Sequence, residues 1–361
     1  MNREVRRLST LRQKKQYYLS IAMLGFSRKA MINKGLSICG NAMTYENFVS
    51  NLPRDNRVSF DSAEEIQEAM ASLDVNQNMK QLGKGVFRAD MSVRTTKQAE
   101  LFADRFSKAV SMYLEAPADT IGFVIPRTTS GTFNASGSKI SNDHLVIVQG
   151  DYGTDIVAPD LMGSESFTMS KSRFNELAEV LCPSLKQQEK TFAIKGDTAQ
   201  LHALRTCILE LISQQAEPDD EQLSTLIWSM ISWVDKSISN TTDKRNLNTI
   251  CEKARIARLA QEFIHASFHG EVRIEDICRA SGVGVRTLQR SFREYFDLTL
   301  TEYLKTVRLN AAHRELSVIA SPQITVTETA LKNGFRHLGR FSTEFHKRFG
   351  STPSEMIGIK H

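Results

Sequence analysis

The chain of 361 residues contains few cysteines, no cysteine pair and no long hydrophobic run. Five widely separated cysteines without a C-x-x-C pair exclude a disulfide framework and a cysteine-rich zinc site, and favour a reducing cytoplasm. They are Cys39, Cys182, Cys207, Cys251 and Cys278. No apolar stretch approaches the roughly 20 residues that a membrane-spanning helix needs, so we expect no membrane partner.

The sequence also has little that would support catalysis. A transition-metal site needs two or three imidazoles and a carboxylate, but His144 is the one histidine between Gly35 and Met169. His265 and His269 have the i, i+4 spacing of a helical metal pair and lack a third ligand nearby. No phosphate loop or nucleophile elbow occurs. We therefore expect no catalytic residue, no metal and no cofactor, and interpret the chain as not an enzyme.

Charge is distributed unevenly along the chain. Residues 1–34 carry nine basic side chains and one acid, residues 35–250 carry 20 basic and 28 acidic side chains, and the remainder carries 17 basic and 12 acidic. The first segment lacks an A-x-A-like cleavage site, so we interpret 1–34 as a basic N-terminal arm rather than a signal peptide. Basic ends around an acidic middle predict a polyanion-binding module joined to a module that stays off the polyanion.

Residues 35–170 show the pattern of a β-rich domain. Short runs rich in Val, Ile and Phe alternate with turn residues, and a helix is predicted from Ala63 to Leu73. This pattern predicts a small antiparallel barrel or sandwich. The predicted strands include 58–60, 86–87, 122–125, 144–148, 155–157 and 166–169.

From Ser170 the apolar period becomes helical, with Ser170 as a helix cap. Apolar faces in the segment 171–236 either pack on the β domain or form a dimer interface, for which Leu226, Met230 and Trp233 are the candidates. Residues 237–249 are polar and without period, which predicts an interdomain linker.

Residues 250–361 contain two copies of one pattern. In each copy a helix, a tight turn with glycine and a second helix follow one another, and the two copies lie 53 positions apart. The predicted apolar face of the second helix contains Val285, Leu288, Phe292 and Phe296 in the first copy, and Leu338, Phe341, Phe345 and Phe349 in the second. This is the signature of two helix-turn-helix units.

The polar faces of these second helices carry the residue types that read DNA. A helix fits the major groove, where Arg clasps guanine and Gln clasps adenine in bidentate pairs. In the first unit we expect contacts from Arg286, Thr287, Gln289, Arg290 and Arg293. In the second unit we expect them from Arg336, His337, Gly339, Arg340, Thr343 and Lys347. Double-stranded DNA is therefore the expected partner.

The motifs Arg286-Thr-Leu-Gln-Arg-Ser-Phe-Arg293 and Ala330-x-x-x-Gly334-Phe335, continuing through Phe341, Phe345 and Gly350 to Pro353, resemble the AraC/XylS family of transcription regulators. The resemblance covers roughly the last 105 residues. Two departures stand out. The first recognition helix is preceded by Gly284 instead of a serine cap, and its unit ends in Asp297-Leu-Thr-Leu300, where the family often has Gly-x-Ser/Thr-Pro.

The resemblance implies an α+β protein with a cupin-like β-barrel and flanking helices, followed by an all-α domain with two helix-turn-helix units. It implies five segments: a basic arm over 1–34, a cupin-like effector-binding domain over 35–170, a helical dimerisation segment over 171–236, a linker over 237–249 and the DNA-binding domain over 250–361. It further implies an effector-responsive activator that forms a homodimer and has RNA polymerase and an unknown small-molecule or protein effector as partners. The effector-binding residues stay unknown. A cupin-type metal-dependent enzyme fused to a DNA-binding domain is the disfavoured alternative, since no histidine cluster is present.

Overall fold

A computed structural model describes residues 43–54, 56–72, 75–129, 132–150, 153–181, 191–240, 244–246, 252–318 and 325–358. The basic arm predicted over 1–34 lies outside these ranges. The described chain is a mixed α and β structure, in which two antiparallel sheets with flanking helices precede an all-helical C-terminal domain. Within these ranges no helix is long and apolar enough to cross a membrane.

Within the described residues, sheet A contains eight strands in the order β1-β3-β4-β11-β6-β9-β12-β13, and every neighbouring pair is antiparallel. Its strands are β1 (Arg57–Phe60), β3 (Ala89–Thr95), β4 (Ala99–Phe106), β6 (Thr120–Thr128), β9 (His144–Gln149), β11 (Met162–Ser170), β12 (Phe192–Lys195) and β13 (Lys244–Asn246). Sheet B has the order β2-β5-β10-β7-β8, from β2 (Asn76–Gln81), β5 (Val110–Glu115), β7 (Thr132–Ala135), β8 (Ser138–Ser141) and β10 (Thr154–Ala158).

Alternation along the strands of sheet A separates two cores. One face of the sheet, with Leu101, Phe123 and Phe167, packs against helices, and the other face, with Phe106 and Val148, turns towards sheet B. The flanking helices are α1 (Tyr45–Val49), α2 (Ala63–Ala71), α3 (Lys171–Leu181), α4 (Thr198–Ser213) and α5 (Asp220–Asn240). Sheet A is therefore buried on both sides, by helices on one face and by sheet B on the other.

The structure corrects several sequence predictions for this part. The two sheets are not joined into a closed barrel in the described residues, so the cupin-like barrel is not confirmed. Residues 86–87 precede β3 instead of forming a strand. The described residues of the predicted linker have regular structure, because α5 continues to Asn240 and Lys244–Asn246 pairs with β12. Here tertiary packing and strand pairing override the weak intrinsic preferences of Ser, Asn and Thr.

The C-terminal domain contains two small cores along one connecting helix. Its helices are α6 (Glu252–Ser267), α7 (Ile274–Ser281), α8 (Val285–Phe296), α9 (Leu300–Val318), α10 (Val326–Lys332), α11 (Leu338–Phe349) and α12 (Pro353–Gly358). Tyr303 and Val307 of α9 pack into the first core, with Leu288 and Phe292. Leu309 and other residues of the same helix pack into the second core. Helix α9 thus joins the two helix-turn-helix units, as its position between them predicts.

Candidate nucleic-acid interface

Helix α8 is the second helix of the first unit. Gly282 takes a left-handed φ of 69° in the preceding turn, and Gly284 is the N-cap without a side-chain hydrogen bond, as expected for glycine at this position. Leu288, Phe292 and Phe296 are buried. The five residues predicted to contact DNA are all exposed: Arg286, Thr287, Gln289, Arg290 and Arg293. Their common exposure leaves this face free for a partner.

Helix α11 occupies the same place in the second unit. Its preceding helix α10 begins with a capping box between Thr325 and Glu328, and Gly334 provides the turn with a φ of 80°. All six predicted residues of this unit are exposed: Arg336, His337, Gly339, Arg340, Thr343 and Lys347. A Cβ added at Gly339 would meet no neighbouring atom, so this glycine leaves open space above the helix.

The first residue of each predicted apolar face lies outside the core. Val285 is 42% exposed and Leu338 is 39% exposed, and they are the first residues of α8 and α11. The two residues occupy equivalent positions, 53 apart in the sequence. The prediction that they belong to the apolar faces is wrong, because the first helical turn projects beyond the hydrophobic core. Each helix instead presents an exposed apolar side chain beside its polar ones.

The exposed cations on the polar faces of α8 and α11 have no ionic partner among the described residues. Several exposed cations elsewhere in the domain do, as in Lys253 with Glu294 at 2.6 Å and Arg258 with Glu262 at 3.2 Å. Among the described residues, no carboxylate lies within ion-pair distance of the cations on the two polar faces. These unpaired cations are Arg286, Arg290 and Arg293 in the first unit and Arg336, Arg340 and Lys347 in the second. The arrangement favours an anionic partner.

The N-terminal part contacts equivalent turns of both helices. The Asn134 side-chain amide donates to the Tyr295 carbonyl of α8 at 2.8 Å, and the Gln81 amide donates to the Arg348 carbonyl of α11 at 2.7 Å. Tyr295 and Arg348 are themselves equivalent, 53 positions apart. Both donors belong to sheet B, so one sheet holds the C-terminal turns of both helices.

The contact around Gln81 is extensive and buried. The Asn310 amide of α9 donates to the Gln81 carbonyl at 3.0 Å, and the Gln81 N–H donates to the Asn310 Oδ1 at 3.1 Å. The Arg348 guanidinium donates to the carbonyls of Leu82 and Gly83 and to the Thr306 hydroxyl. Burial lowers the pKa of this guanidinium from its ordinary value. No sequence pattern indicates this interface, because its contacts between the two parts join residues more than 200 positions apart.

The histidines considered as metal ligands have ordinary structural contacts. His144 Nδ1 lies 2.8 Å from the Asp143 carboxylate, and His265 Nε2 lies 3.2 Å from the Tyr303 hydroxyl. His269 Nδ1 lies 3.2 Å from the Lys332 carbonyl. In the part of the chain that the structure describes, no group of three His, Cys, Asp or Glu side chains is placed to hold a metal ion.

The predicted dimer candidates are core residues. Leu226, Met230 and Trp233 are buried in the core between α5 and sheet A, with Met230 fully covered. Their apolar stripe packs within the chain, which was the alternative interpretation of the segment 171–236. They are therefore not available as a dimer surface, and a homodimer stays a prediction without assigned residues.

Comparison with known proteins places the C-terminal part in a family. A family model described as "Helix-turn-helix domain" matches residues 277–358. A probable thc operon regulatory protein of Rhodococcus erythropolis is 35% identical over 100 residues, which cover 28% of this chain and 30% of that protein. The XylDLEGF operon transcriptional activator 2 of Pseudomonas putida is 26% identical over 98 residues, covering 27% of this chain and 62% of that protein. The chain thus spans less than two thirds of these relatives.

Among solved structures, the chain is similar to a probable AraC family transcriptional regulator from Rhodopseudomonas palustris CGA009, with 30% sequence identity. The matched region covers 29% of this chain and 97% of that protein, with a TM-score of 0.28. Taken with the geometry above, the family match defines residues 277–358 as a helix-turn-helix domain. The chain carries the DNA-binding domain of the AraC/XylS family of transcription regulators, as its motifs predict.

Proposed function

We propose that the protein is a sequence-specific transcription regulator that reads promoter DNA through α8 and α11 in adjacent major grooves. The observation that carries this proposal is the pair of equivalent helices whose exposed cations have no ionic partner in the described chain. Phosphates of the DNA backbone would neutralise some of these cations, and base edges would engage the others.

The residues of the two helices divide into three roles. Arg290 and Gln289 have the functional groups for bidentate pairing with guanine and adenine. Val285 and Leu338 offer apolar contacts for thymine methyl groups at the start of each helix. Lys347, near the end of α11, suits a backbone phosphate, and Gly339 permits close approach of the helix to the duplex.

We also propose that the N-terminal part is an effector-binding module that regulates this DNA binding. Sheet B lines a cavity between the two sheets, and the same sheet donates hydrogen bonds to α8 and α11. A ligand that binds one arrangement of sheet B more tightly than another would shift the population of docked domains. Activation through RNA polymerase stays a family-based prediction.

Fluorescence anisotropy of the full chain on its own promoter duplex tests the DNA-reading proposal. Arg290→Ala and Gln289→Ala should each weaken binding to the preferred site by about 1–3 kcal/mol and relax base preference there. Lys347→Ala should weaken binding to all sequences alike and reduce the salt dependence. Arg255→Ala is the matched control, because Arg255 is exposed but paired with Glu252 on α6. Equal loss of specific and non-specific binding in Arg290→Ala would contradict base reading by this residue.

A further inference from the structure

A cavity of about 570 Å³ lies between sheets A and B. Its walls are predominantly apolar and rich in methionine, and they include Met70, Met91, Phe102, Met112, Leu114 and Ile156. A volume of this order accommodates a drug-sized organic molecule, and unbranched methionine side chains adapt to ligands of irregular shape. The cavity is therefore suited to an apolar small molecule.

Polar groups enter the cavity at a few defined positions. Asp104 of β4 lies opposite Ser164 of β11 in the strand register, and the Ser164 hydroxyl donates to Asp104 Oδ1. Ser166 and Thr168 continue the row of hydroxyls along β11. On the facing sheet, the Thr154 hydroxyl lines the cavity at 3% exposure and has no hydrogen-bond partner in the described chain. An unpartnered buried hydroxyl is costly unless a ligand or water satisfies it.

Strand alternation determines which charges reach the cavity. Arg105, next to Asp104, points to the opposite face of sheet A, where Arg105, Arg127 and Arg205 surround the buried Glu165 carboxylate. Among the described residues that line the cavity, Lys97 is the one basic side chain, and it is exposed at the rim. A ligand carboxylate would consequently meet the Asp104 carboxylate without a buried counterion.

We propose that the cavity binds an apolar small molecule carrying a protonated amine, which donates to the Asp104 carboxylate and the neighbouring hydroxyls. The proposal rests on the proposed function, since it names the chemical class of the effector. An ammonium group supplies the positive partner that the Asp104 carboxylate does not have on this face of the sheet. The methionine and aromatic side chains cover the apolar part of the ligand.

The electrostatic environment of Asp104 supports this geometry. Burial raises the pKa of Asp104 to about 6, opposed by the Ser164 hydrogen bond and the Arg105 charge and assisted by the Glu165 charge. Tyr45 on α1 is the further titratable group close to Asp104, while Lys97, Glu100 and Asp119 lie elsewhere along the cavity wall. Amine binding should thus weaken about tenfold between pH 7 and pH 5, because Asp104 becomes protonated.

Calorimetric titration and thermal shift of the full chain test the proposal with three probes of matched shape. These are 4-phenylbutylamine, 4-phenylbutan-1-ol and 4-phenylbutanoic acid. We expect the amine to bind at least about tenfold more tightly than the alcohol, as a charge-assisted hydrogen bond would allow, and the acid not to raise the melting temperature. Binding of the acid as tight as the amine, preference for the alcohol, or no shift with the amine would each overturn the proposal.

Asp104→Asn should remove the preference for the amine and the loss of affinity below pH 6. Asp61→Asn is the matched control, because Asp61 is exposed and outside the cavity lining, and it should retain both. Unchanged amine binding in Asp104→Asn would assign the amine to another site and overturn the proposal. Fluorescence anisotropy with promoter DNA on the same samples separates this outcome from the proposed function. If the wild-type chain does not bind the promoter duplex, the proposed regulator function is refuted. If the chain binds the duplex but not the amine, only the proposed ligand class is refuted.

Discussion

Asn310 of the connecting helix α9 hydrogen-bonds to the free backbone edge of strand β2. Its side-chain amide exchanges two hydrogen bonds with the Gln81 backbone, as a neighbouring strand would, and Gln81 is itself buried. Asn310→Ala leaves one buried N–H and one buried C=O of Gln81 without partners. Each such group costs about 1–3 kcal/mol, so we expect the free energy of unfolding to fall by about 2–6 kcal/mol in total.

Urea unfolding followed by tryptophan fluorescence measures this loss. Both tryptophans of the chain, Trp228 and Trp233, lie on α5, so their signal reports the N-terminal part while the substitution lies in the C-terminal domain. Asn333→Ala is the matched control, because Asn333 is also a buried asparagine, and its amide donates locally to the Thr329 carbonyl of α10 and not to the N-terminal part of the described chain. A loss below about 0.5 kcal/mol in Asn310→Ala would refute the reasoning, since it would mean that Gln81 finds equivalent partners in the variant.

Two further outcomes follow from backbone conformation and burial. Asp297 ends α8 with a left-handed φ of 54°, as its equivalent Gly350 ends α11 with a φ of 79°. Asp297→Gly should therefore be more stable than Asp297→Ala by about 1 kcal/mol in urea unfolding, and equal stability would contradict this. Because the folded pKa of Asp104 is raised to about 6, its contribution to stability is fully present below the unfolded pKa and is lost as pH rises through 6. The free energy of unfolding of Asp104→Asn should then be about 2–3 kcal/mol higher than that of the wild type at pH 8 and equal to it near pH 3. The same difference at both pH values would contradict the raised pKa of Asp104.

The C-terminal domain could be predicted from sequence because its information is local. Two short helices, a glycine turn and a helical apolar period recur at a spacing of 53, and each copy forms its own small core. The apolar period wrongly predicted that Val285 and Leu338 are buried. The period shows which side of a helix faces the core, but it does not show where along the helix the core ends. Both residues start their helices beyond the core and are exposed.

The N-terminal part depends on strand pairing that the sequence does not encode locally. Strand β2, with the polar sequence Asn-Gln-Asn-Met-Lys-Gln, is a strand because it pairs with β5 and meets α9. Strand β4 alternates buried and partly buried residues over most of its length, and both faces of its sheet are covered by other elements. The sequence alone could not show that Asp104 faces a cavity while Arg105 faces the opposite side.

The measurement that tests the central claim most directly is binding of the full chain to its promoter site with and without five extra base pairs between the two sub-sites. If α8 and α11 enter successive major grooves on one side of the duplex, their sub-sites lie about 10 base pairs apart. Helix α9 and sheet B hold the two reading helices together, so a half-turn shift places one sub-site on the far side of the DNA. We expect a gel-shift titration to show affinity reduced by about 100-fold or more, with weak binding through one helix retained. A change of less than about threefold would contradict reading by both helices, because loss of a second bound module costs more than this.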